Sequence, residues 1–233
     1  MALSGIHLLA VMAHPDDAEL AFGGLLARAA ARGRVAAILD LTAGEAGTRG
    51  TAAVRRGEAC AAALRLGVCP REGLGWPDGG LADVPRAAER LAEHLARLQP
   101  ALVLVHGHLD PHPDHRAAAR WVREALELTG RATPSLAGAA ARAPGDPGSP
   151  PPDWVLQLSS DERAAKWDAV RCHRSQLEPQ GPTDRGQHLP GGQNILQRAQ
   201  STAAHYGERG GEGEPLWLAH LAGIDTLRDL DLL

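Results

Sequence analysis

The sequence predicts an α/β protein, a Rossmann-like three-layer sandwich around a mostly parallel sheet. Three observations predict it. The apolar runs at 6–12, 35–41 and 101–105 are continuous rather than alternating, as expected of strands buried on both faces. Each is followed, directly or across a loop, by a stretch of helical composition, and that order implies βαβ units with right-handed crossovers. A chain of 233 residues with 44% hydrophobic residues is long enough to bury one full core. A single domain over 1–233 is therefore expected.

The elements follow in order. Residues 6–12 read as a buried strand, and Leu20 to Ala31 as an Ala- and Leu-rich helix closed by Gly33. Val35 to Leu41 is the second strand, Thr42 to Thr51 a Gly- and Thr-rich loop, and 52–66 a helix. Gly73 to Trp76 fits a short strand, and Pro77-Asp78-Gly79-Gly80 a turn. Val84 to Leu98 reads as a helix ended by Pro100, Ala101 to Val105 as a strand and Ala117 to Leu128 as a helix. Gly130 to Pro152, rich in Gly, Pro and Ala, reads as a flexible surface loop or flap. Trp154 to Leu158 alternates like a strand. Asp161 to Gln176 reads as a helix, Gly181 to Gly192 as a loop, 194–205 as a helix and 207–214 as irregular.

Composition excludes several classes. The net charge of -4 includes no basic stripe, so no nucleic-acid partner is expected. No run of about 18 apolar residues predicts a membrane span, and no signal peptide is read at the N-terminus. Cys60, Cys69 and Cys172 fall at unrelated spacings, which argues against a disulfide framework and fits a reducing cytoplasm.

Chemistry concentrates in two acidic-histidine clusters, each at a strand-to-helix switch. The first is His14-Pro15-Asp16-Asp17-Ala18-Glu19 and the second His112-Pro113-Asp114-His115. Ligands of open α/β sheets sit beyond the carboxyl ends of the strands, where both clusters fall. His14, Asp17 and His115 can supply a two-His, one-carboxylate set for zinc that leaves a position open for water. Fe(II) or another divalent metal suits the same donors. A carboxylate off the metal must take the proton, and Asp16 is placed for it. His112, one helical turn from His115, can steady an oxyanion or protonate a leaving amine. Asp114 can orient an imidazole. The competing reading of Asp16, Asp17 and Asp114 is helix capping.

Ala13 to Glu19 together with His112 to His115 resembles the LmbE/PIG-L family of zinc-dependent deacetylases, which act on N-acetylglucosamine-containing substrates. Leu41 to Thr51, Arg55-Arg56, Glu58-Ala59, Leu74 to Leu81 and His173-Arg174-Ser175-Gln176 are similar to the branch that deacetylates the N-acetylglucosaminyl malate conjugate in bacillithiol biosynthesis. The resemblance covers residues 6–128 well and the rest in patches. It implies an LmbE-like fold, zinc on His14, Asp17 and His115, Asp16 as general base, and His112 as the electrophilic or acid group with Asp114 as its partner. It also implies that Arg55 contacts the sugar, and that the protein forms a homo-oligomer.

Other residues are open to two readings. Arg49 suits the carboxylates of malate or is plain solvated arginine. Asp78 accepts sugar hydroxyls or belongs to ordinary turn chemistry. Glu19 supports the metal shell or decorates a helix start. His106 and His108 lie near the second cluster without a partner pattern. His173, Ser175 and Gln176 fold over the substrate or pack a helix. The expected partner is a small sugar conjugate. A mycothiol-type conjugate, or a thiol S-conjugate amidase, is the near alternative. A nucleotide-binding module on the loop at 44–50 is the different-class one, although that loop lacks the Gly-x-Gly-x-x-Gly spacing and the Lys-Ser/Thr ending. An inactive metal binder is a third reading, and an intact Asp16 and His112 argue against it.

Overall fold

The computed structural model describes residues 5–47, 49–138, 151–177, 195–207, 211–220 and 223–233. Its elements are β1 (Leu8–Met12), α1 (Asp17–Ala31), β2 (Ala36–Thr42), α2 (Ala52–Leu66), β3 (Arg71–Trp76), α3 (Ala87–Leu98), β4 (Leu102–His106), α4 (Pro113–Thr129), β5 (Ser135–Gly138), β6 (Trp154–Leu158), α5 (Ser160–Val170), α6 (Arg174–Leu177), α7 (Ile195–Tyr206), β7 (Glu212–His220) and α8 (Gly223–Asp229), with a 3-10 turn at Leu81–Asp83. They build one seven-stranded sheet in the order β3-β2-β1-β4-β5-β7-β6. The first five strands of that order pair in parallel, and β7 runs antiparallel to both β5 and β6.

Period-two alternation assigns the core. Leu8, Ala10 and Met12 face the layer that holds Phe22, Leu25, Ala62 and Trp167. Leu9 and Val11 face the opposite layer with Leu81, Leu91, Val122 and Leu126. Both faces of β1 are therefore buried, which is why its run is apolar at every position. β1 lies between β2 and β4 with its register fixed to both, Leu9 opposite Ala37 and Val103. Strand order reverses there, and the crevice beyond the carboxyl ends of β1 and β4 is where such a sheet holds a ligand.

Four expectations need correction. Ser135–Gly138, expected within a loop, is a strand paired in parallel with β4; residues 139–150 lie outside the described residues. The helix expected over 161–176 is two helices, because the chain turns after Val170 and sets His173 against Glu19 before α6 begins. The stretch expected to be irregular contains the start of β7, whose Glu214 is buried. The helix expected from Leu20 begins at Asp17 and is broken at Phe22. The loop expected over 181–192 falls outside the described residues.

Candidate metal centre

The turn from β1 into α1 places the first cluster, and the turn from β4 into α4 the second. Asp16 is the residue before α1, yet its side chain makes no capping hydrogen bond. The carboxylate is instead 3.3 Å from Arg55 Nη2. In α4 the cap is His112, whose Nδ1 accepts the Asp114 amide at 3.2 Å. Capping thus explains neither aspartate of the first cluster, and histidine rather than aspartate caps the second.

Three donor atoms converge. Asp17 Oδ2 is 3.2 Å from His14 Nδ1 and 3.3 Å from His115 Nε2, and the two ring nitrogens are 3.3 Å apart. Zinc bonds of about 2.0–2.1 Å at tetrahedral angles set donor atoms roughly 3.3 Å apart, so the set fits a divalent ion. The outer ring nitrogens fit as well. His14 Nε2 is 3.0 Å from Asp78 Oδ1 and 3.6 Å from Asp114 Oδ2. His115 Nδ1 is 3.0 Å from Asp110 Oδ1. A carboxylate only accepts, so His14 Nε2 carries a proton toward Asp78, and the inner nitrogens, which also face a carboxylate in Asp17, give up their protons where a metal binds.

Charge points the same way. Burial opposes ionisation of Asp78, but the His14 contacts and the Ala46 amide overcome it and bring the carboxyl down to about 2. Burial likewise opposes Asp110, and His115 holds it below the usual carboxylate range. Asp17 is held well below that range by His115 and His106 despite its burial. His115 is pushed up to about 9, because Asp17 and Asp110 outweigh the desolvation that would lower it. His14 is likewise raised, burial losing to Asp114, Asp17 and Asp78. Four carboxylates around two imidazoles leave a surplus of negative charge for a cation to neutralise.

His112 differs. Burial and then the charges of His115 and His14 hold its imidazole below the ordinary value. With Nδ1 accepting from the Asp114 amide, the neutral ring carries its proton on Nε2, as a donor. Its ring lies 4.6 Å from that of His115 and 4.9 Å from that of His14.

Two expected pairings change. The Asp114 carboxylate is not the partner of His112: it accepts the Gly79 amide at 2.7 Å and the Leu81 amide at 3.3 Å, and faces His14. Asp78 is engaged at both oxygens, by His14 and by the Ala46 amide at 2.9 Å, so it is tied to the His14 ring as well as to its own turn. Arg55 is buried, donating to the Gly44 carbonyl at 2.9 Å and to Asp16. Arg49 gives its carbonyl to Gln176 Nε2 at 3.0 Å.

Glu19, fully buried, pairs with Arg71, which also grips Asp40 through two nitrogens, and His173 completes this cluster. Ser175 donates twice to Glu58, so the 173–176 segment fastens to α2. His106 accepts the Ala13 amide at 3.0 Å and stacks on His115 with ring centroids 3.9 Å apart. Asp110 was missed outright. Its signal was its place two residues before His112, whose amide it accepts at 2.9 Å. In the Gly-rich loop the Ala43, Gly44, Ala46 and Gly47 amides are all taken by protein acceptors, which leaves little of a phosphate cradle. Among the described residues no helix is long and apolar enough to cross a membrane.

Several known proteins are similar to this chain. Two relatives are each named 1D-myo-inositol 2-acetamido-2-deoxy-alpha-D-glucopyranoside deacetylase. One, from Thermomonospora curvata, is 33% identical over 156 residues, 52% of each chain, so this chain aligns with about half of its length. The other, from Corynebacterium glutamicum, is 32% identical over 223 residues, 75% of this chain and 76% of the relative. The crystal structure of the conserved protein TT1542 from Thermus thermophilus superposes with a TM-score of 0.75 at 34% identity, over 91% of this chain and 94% of that one. A family profile, "PIG-L: GlcNAc-PI de-N-acetylase", matches residues 9–126, the span that carries both clusters. The chain belongs to the PIG-L family of de-N-acetylases.

Proposed function

We propose that the protein is a divalent-metal-dependent hydrolase that removes the N-acetyl group from an N-acetylglucosaminyl glycoside. The observation that carries this reading is the convergence of His14 Nδ1, Asp17 Oδ2 and His115 Nε2 within 3.3 Å, with Asp78 and Asp110 behind the two rings. Zinc is the metal the resemblance implies, and the donor set suits Fe(II) equally. When bound, the ion supplies Lewis acidity to the amide carbonyl and acidity to water.

The protein's own groups do the rest. Asp16, free of a capping role and held by Arg55, accepts the proton of the attacking water and returns it to the leaving nitrogen. His112, presenting Nε2–H, donates to the oxygen that gains charge as the amide carbon becomes tetrahedral. Asp78, Asp110 and Asp114 fix the ring orientations around them.

The substrate reading moves from malate toward inositol. The named relatives act on an inositol glycoside of 2-acetamido-2-deoxyglucose, which supports the mycothiol-type alternative over the bacillithiol conjugate. The test is acetate release from N-acetylglucosaminyl-inositol, N-acetylglucosaminyl-malate and free N-acetylglucosamine, after chelation and with metal restored. Metal-dependent preference for the inositol conjugate is expected. Preference for malate would restore the other branch, and no amide cleavage by metal-loaded protein would sink the deacetylase reading.

A further inference from the structure

We infer that Lys166 and Glu214 are positioning residues for the Asp16–Asp17 pair, acting through a break that they hold open in α1. The inference rests on the metal-centre reading above. At Phe22 the backbone leaves helical geometry, with φ -134 and ψ 15. In an unbroken helix the Gly24 amide would bond to the Leu20 carbonyl and the Leu25 amide to that of Ala21. Here both amides go to one carboxylate, Gly24 to Glu214 Oε1 at 2.6 Å and Leu25 to Glu214 Oε2 at 2.9 Å. The Leu20 carbonyl accepts Lys166 Nζ at 2.9 Å, and Lys166 and Glu214 are themselves paired at 2.7 Å. An ion pair from α5 and β7 has replaced part of the helix's own ladder, a recognised cause of a sharp helix bend.

Local sequence is built to admit it. A Cβ on Gly23 would meet Lys166 Cγ at 2.8 Å, and one on Gly24 would strike the Leu158 methyls. Two adjacent glycines in a helix interior are each unfavourable relative to alanine, and here they give the pair its access. The Phe22 ring occupies the space that a side chain on Gly138 would fill.

The consequence falls on the metal centre. Asp17–Ala21, the segment before the break, is little more than one turn, too short to hold its own direction. It carries Asp17 and Glu19 and follows Asp16 directly. Its far end is held by Lys166 at the Leu20 carbonyl. The pair therefore sets the angle at which Asp17 Oδ2 meets His14 and His115.

The test is Co(II) titration of chelated protein, followed by visible absorption, for wild type, Lys166→Met, Glu214→Gln and the packing control Leu91→Ala in the opposite layer. Circular dichroism fixes the temperature at which each is folded. In the folded Lys166→Met and Glu214→Gln variants the Co(II) dissociation constant should rise about tenfold or more, with altered visible bands. Leu91→Ala, also destabilised, should keep the wild-type spectrum and affinity, and Lys166→Arg should recover most of the loss. A wild-type spectrum and dissociation constant in both folded variants would overturn the inference. Glu214→Gln, which keeps the shape of the carboxylate, decides alone if Lys166→Met does not fold. Failure of the wild type itself to take up Co(II) would overturn the metal-centre reading, and this inference with it.

Discussion

Asp78 Oδ1 stands 3.0 Å from His14 Nε2, and its other oxygen is held by the Ala46 amide. Residues 64 positions apart are thereby joined into a carboxylate–imidazole unit behind the proposed metal position. Outer partners of this kind fix the tautomer of a ligand histidine, and losing one typically reduces metal affinity about 10–100-fold. Asp78→Ala should weaken metal binding by that order, read by competition with a chromogenic chelator. At saturating metal its KM should stay within about twofold of wild type. A large rise in KM with metal affinity intact would return Asp78 to the sugar-binding role first expected of it.

Asp16 and Arg55 form one ion pair, 3.3 Å apart and both buried. Asp16→Ala should keep its metal and lose about a hundredfold or more in kcat, the usual worth of a positioned base. With Asp16 as the proposed base and Arg55 holding it, Arg55→Ala should depress kcat rather than only raise KM. Steady-state kinetics of both single variants and the double variant settle the point. Little further loss in the double variant is expected of residues that share one function. Full additivity, with the arginine effect confined to KM, would show that Arg55 touches substrate instead.

The role proposed for His112 is separate. Its Nδ1 is committed to the Asp114 amide, so only Nε2–H is left to stabilise an oxyanion. His112→Ala should bind metal normally and fall by roughly 10²–10³ in kcat, the magnitude seen when one oxyanion donor is removed. Metal analysis alongside kinetics separates this outcome from ligand loss. A protein that also lost its metal would make His112 a ligand.

Much of this was legible because it is local. Continuous apolar runs gave β1, β2 and β4, and the two clusters at their ends contain His14, Asp16, Asp17, His112 and His115, which the structure brings together. What was not legible depends on distant contacts. β5 is only Ser135–Gly138, too short for a period, and its glycine exists to seat Phe22 from α1. β7 opens on Glu212-Gly213-Glu214-Pro215, which reads as loop because its buried glutamate is explained only by the break in α1. The contacts of Asp78, Asp114 and Arg55 were not legible for the same reason: spacing places a side chain at a turn but does not say which turn faces it.

Beneath the site one guanidinium, Arg71, serves two carboxylates. Despite burial, Arg71 and His173 bring Glu19 down to about 2. Asp40 is left at about 6, burial outweighing its own contact with Arg71. The sign follows. A raised carboxylate pKa means that the folded chain binds the proton more tightly than the unfolded one, so this contribution to stability shrinks as pH climbs from about 4 to about 6. Asp40→Asn removes that slope. The difference in Tm between wild type and Asp40→Asn should therefore favour wild type more at pH 5 than at pH 7.5. A difference that is flat across that range, in thermal melts of metal-free protein, would place the Asp40 titration elsewhere.

Gly44 explains why the loop after β2 is glycine-rich without being a phosphate cradle. Its φ of +69 lies in the left-handed region, and a Cβ there would collide with the Arg55 guanidinium. The Gly44 carbonyl is also what that guanidinium grips, at 2.9 Å. Gly44→Ala must therefore move the loop or expel Arg55, and either shift releases Asp16. The expected result is a drop in kcat close to that of Arg55→Ala, together with a lower Tm from the strained backbone, by about 1 kcal/mol or more of stability. Metal content at saturating metal should be unchanged, because His14, Asp17 and His115 do not touch Gly44, while a loop shift that frees the Ala46 amide from Asp78 lowers metal affinity. Combining the two substitutions tests the route: if Gly44→Ala still lowers kcat severalfold in an Arg55→Ala background, the glycine does not act through Arg55.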